Sequence, residues 1–201
     1  AATSSSGLGG RLACRRRASA ARTSHEAPAS SGLRISASDN ATYGALINNG
    51  GSTDVQTGFF SGNVSDFGLD VTSVGDIDLH DVTANLNGTY GADLSSGGSI
   101  TIDPSFFSQN GTYGLKADAF GSVSVEYTHA DDNGTFGAAL SGNTGQVAGG
   151  GSNFNGNGTY GLLGDSLAGV TMWQSSASGN SAYGANLSTN GNMNVFDSSF
   201  S

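Results

Sequence analysis

Cysteine, proline and charge are all scarce in these 201 residues, and each shortage excludes something. The single cysteine, Cys14, cannot form an intramolecular disulfide, so packing and hydrogen bonds must hold the fold. No apolar run approaches the roughly 18 residues of a membrane-crossing helix, and the N-terminal residues lack the apolar segment of a secretory signal. Charged residues make up only 11% of the chain and are unevenly placed. Residues 1–38 carry six arginines against one glutamate, a net +5, whereas residues 39–201 carry one lysine, Lys116, against fifteen acids, a net −14. An acidic surface repels phosphate groups, so neither nucleic acid nor an anionic membrane is expected as a partner.

Glycine is abundant, with 33 residues, and its placement is periodic. An aromatic residue followed by glycine recurs at Tyr43, Phe67, Tyr90, Tyr113, Phe136, Tyr160 and Tyr183, at intervals of 23 or 24 residues. Three or four residues before each stands an asparagine: Asn40, Asn63, Asn87, Asn110, Asn133, Asn157 and Asn180. Such self-similarity defines a repeat architecture. Within each repeat apolar and polar residues alternate, which is strand periodicity. The third repeat reads as three short strands, Tyr90–Leu94, Ile100–Ile102 and Ser105–Phe107, with Tyr90, Ala92, Leu94, Ile100, Ile102 and Phe107 facing inward. A repeat this short has no room for crossover helices, so equivalent strands must stack in parallel, about 4.8 Å apart.

The expected fold is therefore all-β: a single-stranded parallel β-helix, or solenoid, of seven coils with three short parallel sheets, covering residues 33–201. Residues 1–32, rich in Arg, Ser and Ala, should form a disordered leader with the composition of an organellar transit peptide. Core size alternates from coil to coil. Two positions after the aromatic the residues run Ala45, Leu69, Ala92, Leu115, Ala138, Leu162, Ala185, and in the third strand Phe60, Ala84, Phe107, Ala130, Phe154, Ala177, Phe200. A layer 4.8 Å thick cannot hold large side chains at every level, so neighbouring coils should interdigitate. The chain has no charged or helical cap, which reads as a segment of a longer array.

Asn-Gly-Thr-Tyr-Gly followed by alternating apolar residues, with asparagine at the same corner of each coil, resembles the right-handed parallel β-helix proteins of the pectin-lyase-like superfamily. The resemblance implies right-handed coiling and a stacked asparagine ladder. In detail the coils resemble repeat segments of large bacterial surface or secreted proteins, which implies an extracellular or cell-surface location.

Enzymes of that superfamily act on acidic polysaccharides, and such chemistry needs basic groups and paired carboxylates. Lys116 is the one lysine or arginine in residues 39–201. Of the polygalacturonase-like motifs only Asp131-Asp132 has a counterpart, and Tyr90-Gly91-Ala92-Asp93 matches only the start of a uronate-epimerase motif. Catalytic residues and cofactors are therefore expected to be absent. The densest acidic cluster lies outward on the second strand, where Asp76, Asp78 and His80 neighbour Asp54, Asp103 and Glu126. A solvated face is expected there, with Asp76, Asp78 and Asp103 as the ligands if Ca²⁺ binds. Neither His25 nor His129 has an evident partner. Trp173 and Phe196 fall in one outward column, where a sugar ring could stack. A threonine column (Thr42, Thr89, Thr112, Thr135, Thr159) has the look of an ice-binding face but is interrupted at Asp66 and Ala182. Each corner asparagine, six of them in Asn-x-Ser/Thr sequons, is expected to serve a tight turn by adopting the left-handed conformation. The reading that follows is a non-catalytic structural or adhesive stalk segment whose partners are neighbouring coils or domains, with weak carbohydrate contact. The alternatives are a polysaccharide-acting enzyme and an ice-binding protein.

Overall fold

The computed structural model describes the backbone of residues 11–13, 21–25 and 30–201, with side chains from Arg34 onward. No helix occurs among the described residues. The first face of the coils is an eight-stranded parallel sheet of β2 (Ala21–His25), β4 (Ala45–Asn49), β6 (Leu69–Ser73), β8 (Ala92–Ser96), β10 (Leu115–Ala119), β12 (Ala138–Gly142), β14 (Tyr160–Ser166) and β17 (Tyr183–Thr189). The second is a nine-stranded parallel sheet of β1 (Arg11–Ala13), β3 (Ser30–Ser36), β5 (Thr53–Phe59), β7 (Ile77–Thr83), β9 (Ile100–Phe106), β11 (Val123–Glu126), β13 (Val147–Gly150), β15 (Gly169–Trp173) and β18 (Asn192–Phe196). The third is narrow. Single bridges link Phe106, His129, Asn153 and Ser176 in turn, and β16 (Ser176–Ala177) pairs with β19 (Ser199–Phe200).

Strands of consecutive coils are neighbours in every sheet, so the chain winds into a solenoid of about seven turns. The anticipated leader, residues 1–32, lies largely outside the described residues. Within it the backbones of β1 and β2 pair in parallel with β3 and β4, respectively.

Alternation decides which side chains enter the core. β8 shows it: Ala92, Leu94 and Ser96 are buried, whereas Asp93 and Ser95 point outward. The register aligns Ala45, Leu69, Ala92, Leu115, Ala138, Leu162 and Ala185 in one column, so small and large residues alternate up the axis. Phe60, Phe107 and Phe154 are fully buried, as are the intervening Ala84, Ala130 and Ala177. Where a column breaks this rule, a neighbour fills the gap. Gly149 occupies an inward position, and Met172 of the next coil bends into the space a side chain there would need.

Tyr90 departs from its expected inward position. It is half-buried on the outside, while Gly91 and Ala92 both face the interior. Its ring belongs to an aromatic column in which neighbours stack with centroids 4.9–5.3 Å apart: Tyr43 on Phe67, Phe67 on Tyr90, Tyr90 on Tyr113, Tyr113 on Phe136, and Tyr160 on Tyr183.

The two longer repeats absorb their extra residue in corners. In coil 2 it falls between Asn63 and Phe67, and in coil 5 between Gly142 and Val147. Neither disturbs the strand register on either side.

Because the core alternates, adding or removing a single coil should be worse than removing two. Deleting residues 87–109 places Leu69 on Leu115 and Ala84 on Ala130, creating overpacking in one column and a void in another. Deleting residues 87–132 places Leu69 on Ala138 and Ala84 on Phe154, which preserves the alternation. The two-coil deletion should melt at the higher temperature; equal melting, or the reverse order, would refute pairwise packing.

Candidate functional surface: ladders and outward columns

The corner asparagines form a continuous ladder. Each Nδ2 donates to Oδ1 of the asparagine one coil on, from Asn40 to Asn63 at 2.8 Å through Asn157 to Asn180 at 3.0 Å. The backbone N–H of each donates to the same oxygen at 2.8–3.2 Å. Every intermediate Oδ1 thus accepts two bonds, and Asn40 through Asn157 are buried. Asn180 tops the ladder, and its Nδ2 is the one buried side-chain polar atom among the described residues without a hydrogen bond.

The left-handed residue at this corner is not the asparagine, as the sequence had suggested, but the one before it: Asp39, Gly62, Leu86, Gln109, Asp132, Gly156 and Gly179 all have φ between 57° and 71°. The asparagine's role is hydrogen bonding, and its predecessor turns the chain.

Other polar columns repeat the same device. Ser38, Ser61, Asn85, Ser108, Asp131 and Asn155 each accept the N–H of the equivalent residue one coil on, at 2.6–3.1 Å. Asp131-Asp132 is therefore committed to structure, since Asp131 accepts from Asn155 and Asp132 is a left-handed corner residue. At the turn before the second strand, Asp76 N–H donates to Ser52 Oγ, and Asp76 Oδ1 accepts from Ser99 N–H at 2.7 Å. The threonine column is also occupied: Thr135 Oγ donates to the Thr112 carbonyl and Thr159 Oγ to the Thr135 carbonyl, while Thr89 Oγ donates to Asp66.

The acidic cluster consequently does not converge. Asp76 faces its turn, Asp78 lies beside Asp54 and Thr101 in register, and Asp103 sits 2.9 Å from His80 Nδ1. Among the described residues no group of three His, Cys, Asp or Glu side chains is placed to hold a metal ion. Burial, followed by repulsion from Asp54 and Asp76, raises the Asp78 pKa above the ordinary 3.8 despite a hydrogen bond from Thr101. His129, expected to lack a partner, stacks on Phe106 with centroids 5.2 Å apart and lies 3.2 Å from Asn153 Nδ2 and 3.5 Å from Asp131.

A second polar group was not apparent from sequence. Tyr90 and Tyr113 donate from their hydroxyls to Asp70 (3.2 Å) and Asp93 (2.9 Å) of the preceding coil, and Lys116 reaches Asp118 at 2.8 Å and Asp93 at 3.4 Å. Burial and then the adjacent carboxylates push both phenols well above their ordinary pKa, so they remain protonated. Lys116 is also raised, chiefly by its hydrogen bond to Asp118. The available clue was the position of Asp70 and Asp93, three residues after an aromatic in successive repeats.

Trp173 and Phe196 do share one outward column, in register between β15 and β18. The Trp173 indole leans over Gly150 in the coil beneath, leaving no room for a side chain there, and Phe196 is 51% exposed. Tyr127, missed from sequence, lies over Gly151 from the other side. The glycine run Gly149–Gly151, which replaces Val125-Glu126-Tyr127 of the previous coil, marked this patch in the sequence. A shallow open groove of about 280 Å³ lies elsewhere, on the outer face of the first sheet, lined by Asp118, Ala139, Ser141, Leu163, Asp165 and Asn186. It falls just below the usual volume range of ligand pockets.

A family model described as "Right handed beta helix region" matches residues 31–201. No curated protein and no solved structure matches the chain.

Replacing Asn110 with alanine removes the acceptor of both the Asn87 amide and the Asn87 N–H, so stability should fall by about 2–5 kcal/mol, against less than about 0.5 for exposed Asn143→Ala. Urea unfolding of the two variants tests this, and equal losses would show that the ladder contributes nothing special. For Asp78, a folded pKa above the unfolded value means its contribution is fully present below 3.8 and is lost as pH rises through the folded value. Asp78→Asn should therefore gain in melting temperature over the parent as pH rises from below 3.8 to neutral, and a pH-independent difference would count against it. About 1 mM Ca²⁺, near the weak end of protein calcium sites, should leave the parent's melting temperature unchanged.

Proposed function

Because the chain belongs to the right-handed β-helix family, whose members include enzymes and non-enzymes and are often extracellular, we propose that it is a non-catalytic structural or adhesive segment of a secreted or cell-surface protein, with weak carbohydrate contact at the patch of Trp173, Tyr127 and Phe196. What supports this reading is where the polar side chains place their hydrogen bonds. Asparagines, serines, threonines and Asp131 are bonded to the adjacent coil, so residues that could be mistaken for catalytic groups serve the stack. A catalytic site instead needs polar groups converging on a pocket.

Proton chemistry points the same way. A lyase or epimerase acting through tyrosine needs a phenol that gives up its proton near neutral pH. Burial, and then the adjacent carboxylates, oppose this at Tyr90 and Tyr113. The patch offers exposed aromatic rings at the end of the second-sheet strands, suited to low-affinity stacking against a sugar ring.

Incubating the protein with immobilised neutral and acidic glycans should give weak retention, reduced severalfold by Trp173→Ala, and no new reducing or unsaturated ends in solution. Release of such ends would establish the enzymatic alternative. Retention unaffected by Trp173→Ala would remove the patch from the proposal.

A further inference from the structure

The chain contains seven Asn-Gly pairs, at Asn49, Asn87, Asn110, Asn133, Asn155, Asn157 and Asn190. Asn-Gly is the dipeptide most prone to intramolecular rearrangement, because glycine hinders neither the approach of its own nitrogen to the asparagine side chain nor the backbone rotation this requires. In the reaction the following nitrogen loses its proton to hydroxide and bonds to asparagine Cγ. The Cγ–Nδ2 bond then breaks, ammonia leaves, and a five-membered succinimide remains. Water opens that ring at either carbonyl, giving aspartate or isoaspartate. The nucleophilic nitrogen and the amide must both be free to move.

At five of the seven pairs they are not. The N–H groups of Gly88, Gly111, Gly134 and Gly158 donate at 2.8–3.0 Å to the carbonyls of Asn63, Asn87, Asn110 and Asn133 in the coil beneath, and Gly156 donates to Ser178 at 3.0 Å. The side chains of Asn87, Asn110, Asn133 and Asn157 are locked in the ladder, and Asn155 Oδ1 accepts from Ser176 Oγ and Ser178 N–H. Asn49 is buried, with Nδ2 bonded to the Ser52 carbonyl and Thr53 Oγ.

Asn190 differs in each respect. It is exposed, and the N–H of Gly191 is held only by Thr189 Oγ of its own turn, at 2.9 Å. This exposure belongs to the turn and not to the last coil alone. The equivalent residues Val74, Phe120 and Leu167 are 69%, 59% and 55% exposed.

We propose that Asn190 is the site at which the folded protein undergoes spontaneous deamidation, and that coil stacking at five of the other Asn-Gly pairs, and burial of the side chain within its own turn at Asn49, withhold them from the same chemistry. Conversion at a ladder asparagine requires its coil to separate from its neighbour, whereas conversion at Asn190 requires only movement of a surface turn. Each ladder asparagine is thereby kept in the one chemical form that can both donate and accept along the stack.

The test is to hold the folded protein at mildly alkaline pH and follow amide-to-acid conversion in chymotryptic peptides, which the recurring aromatics separate coil by coil. Conversion at Asn190 should outpace that at any ladder position by roughly tenfold or more. In guanidinium, where no coil is stacked, all seven pairs should convert at similar rates. Asn190→Gln should abolish the early phase of ammonia release. Ladder asparagines converting in the folded protein as fast as Asn190, or Asn190 staying intact while the unfolded chain converts it, would overturn the proposal.

Discussion

The amide of a corner asparagine is satisfied only if the adjacent coil arrives within hydrogen-bonding distance of it, and glycine makes that approach possible. A Cβ on Gly91 would lie 2.7 Å from the Ala84 carbonyl and 2.8 Å from Asn110 Nδ2. The equivalent contacts recur at Gly44, Gly68, Gly114, Gly137 and Gly161, each with the asparagine one coil on. None of these glycines has a positive φ, so what glycine supplies here is the absence of a side chain. The pairing explains why asparagine, aromatic and glycine recur together. The asparagine needs the glycine's space, and the aromatic, placed just before it, turns outward onto the ring of its neighbour.

With coil separation fixed by this contact, the interior must fit layers of constant thickness. Two large residues in successive layers of one column would overlap, and two small ones would leave a void, so large and small alternate. Variation in repeat length is confined to places where the constraint is relaxed. Corners accept an extra residue in coils 2 and 5 without shifting the strands that follow, because a corner residue pairs through one or two bonds while a strand is bound along its length.

The fold was legible in the sequence because the same side chains answer to the same neighbours in every coil, and repetition turns a weak local pattern into a strong one. The ladder asparagines, the core alternation and the outward pairing of Trp173 with Phe196 could all be read this way. What escaped reading depended on direction within a single coil. Tyr90 sits at a position that alternation assigns to the interior, but Gly91 breaks the alternation by facing inward without a side chain, and the tyrosine is displaced outward. The left-handed corner was attributed to asparagine on its general tolerance, whereas its column mixes Asp39, Leu86 and Gln109 with glycines and has no compositional mark. The Tyr113, Asp93 and Lys116 contacts join residues 20 and 23 positions apart and depend on ring orientation, which periodicity does not carry.

A stack of this kind also changes what a polar residue means. In a globular enzyme a buried asparagine or a close pair of aspartates stands out because each must find a particular partner. In a parallel solenoid every residue has its own equivalent about 4.8 Å above and below, so a polar side chain that recurs finds its hydrogen bonds within its column. Function is then to be sought where a column is interrupted. Coil 5 provides such a place, because Gly149 and Gly150 at the end of the second-sheet strand and Gly151 in the corner beyond it remove three successive side chains, and Tyr127 and Trp173 close over the bare backbone from the coils on either side. At this interruption the rings of Tyr127 and Trp173 stand where the coil between them carries no side chains, so their outer faces are set by the missing residues of coil 5 and not by a repeated column.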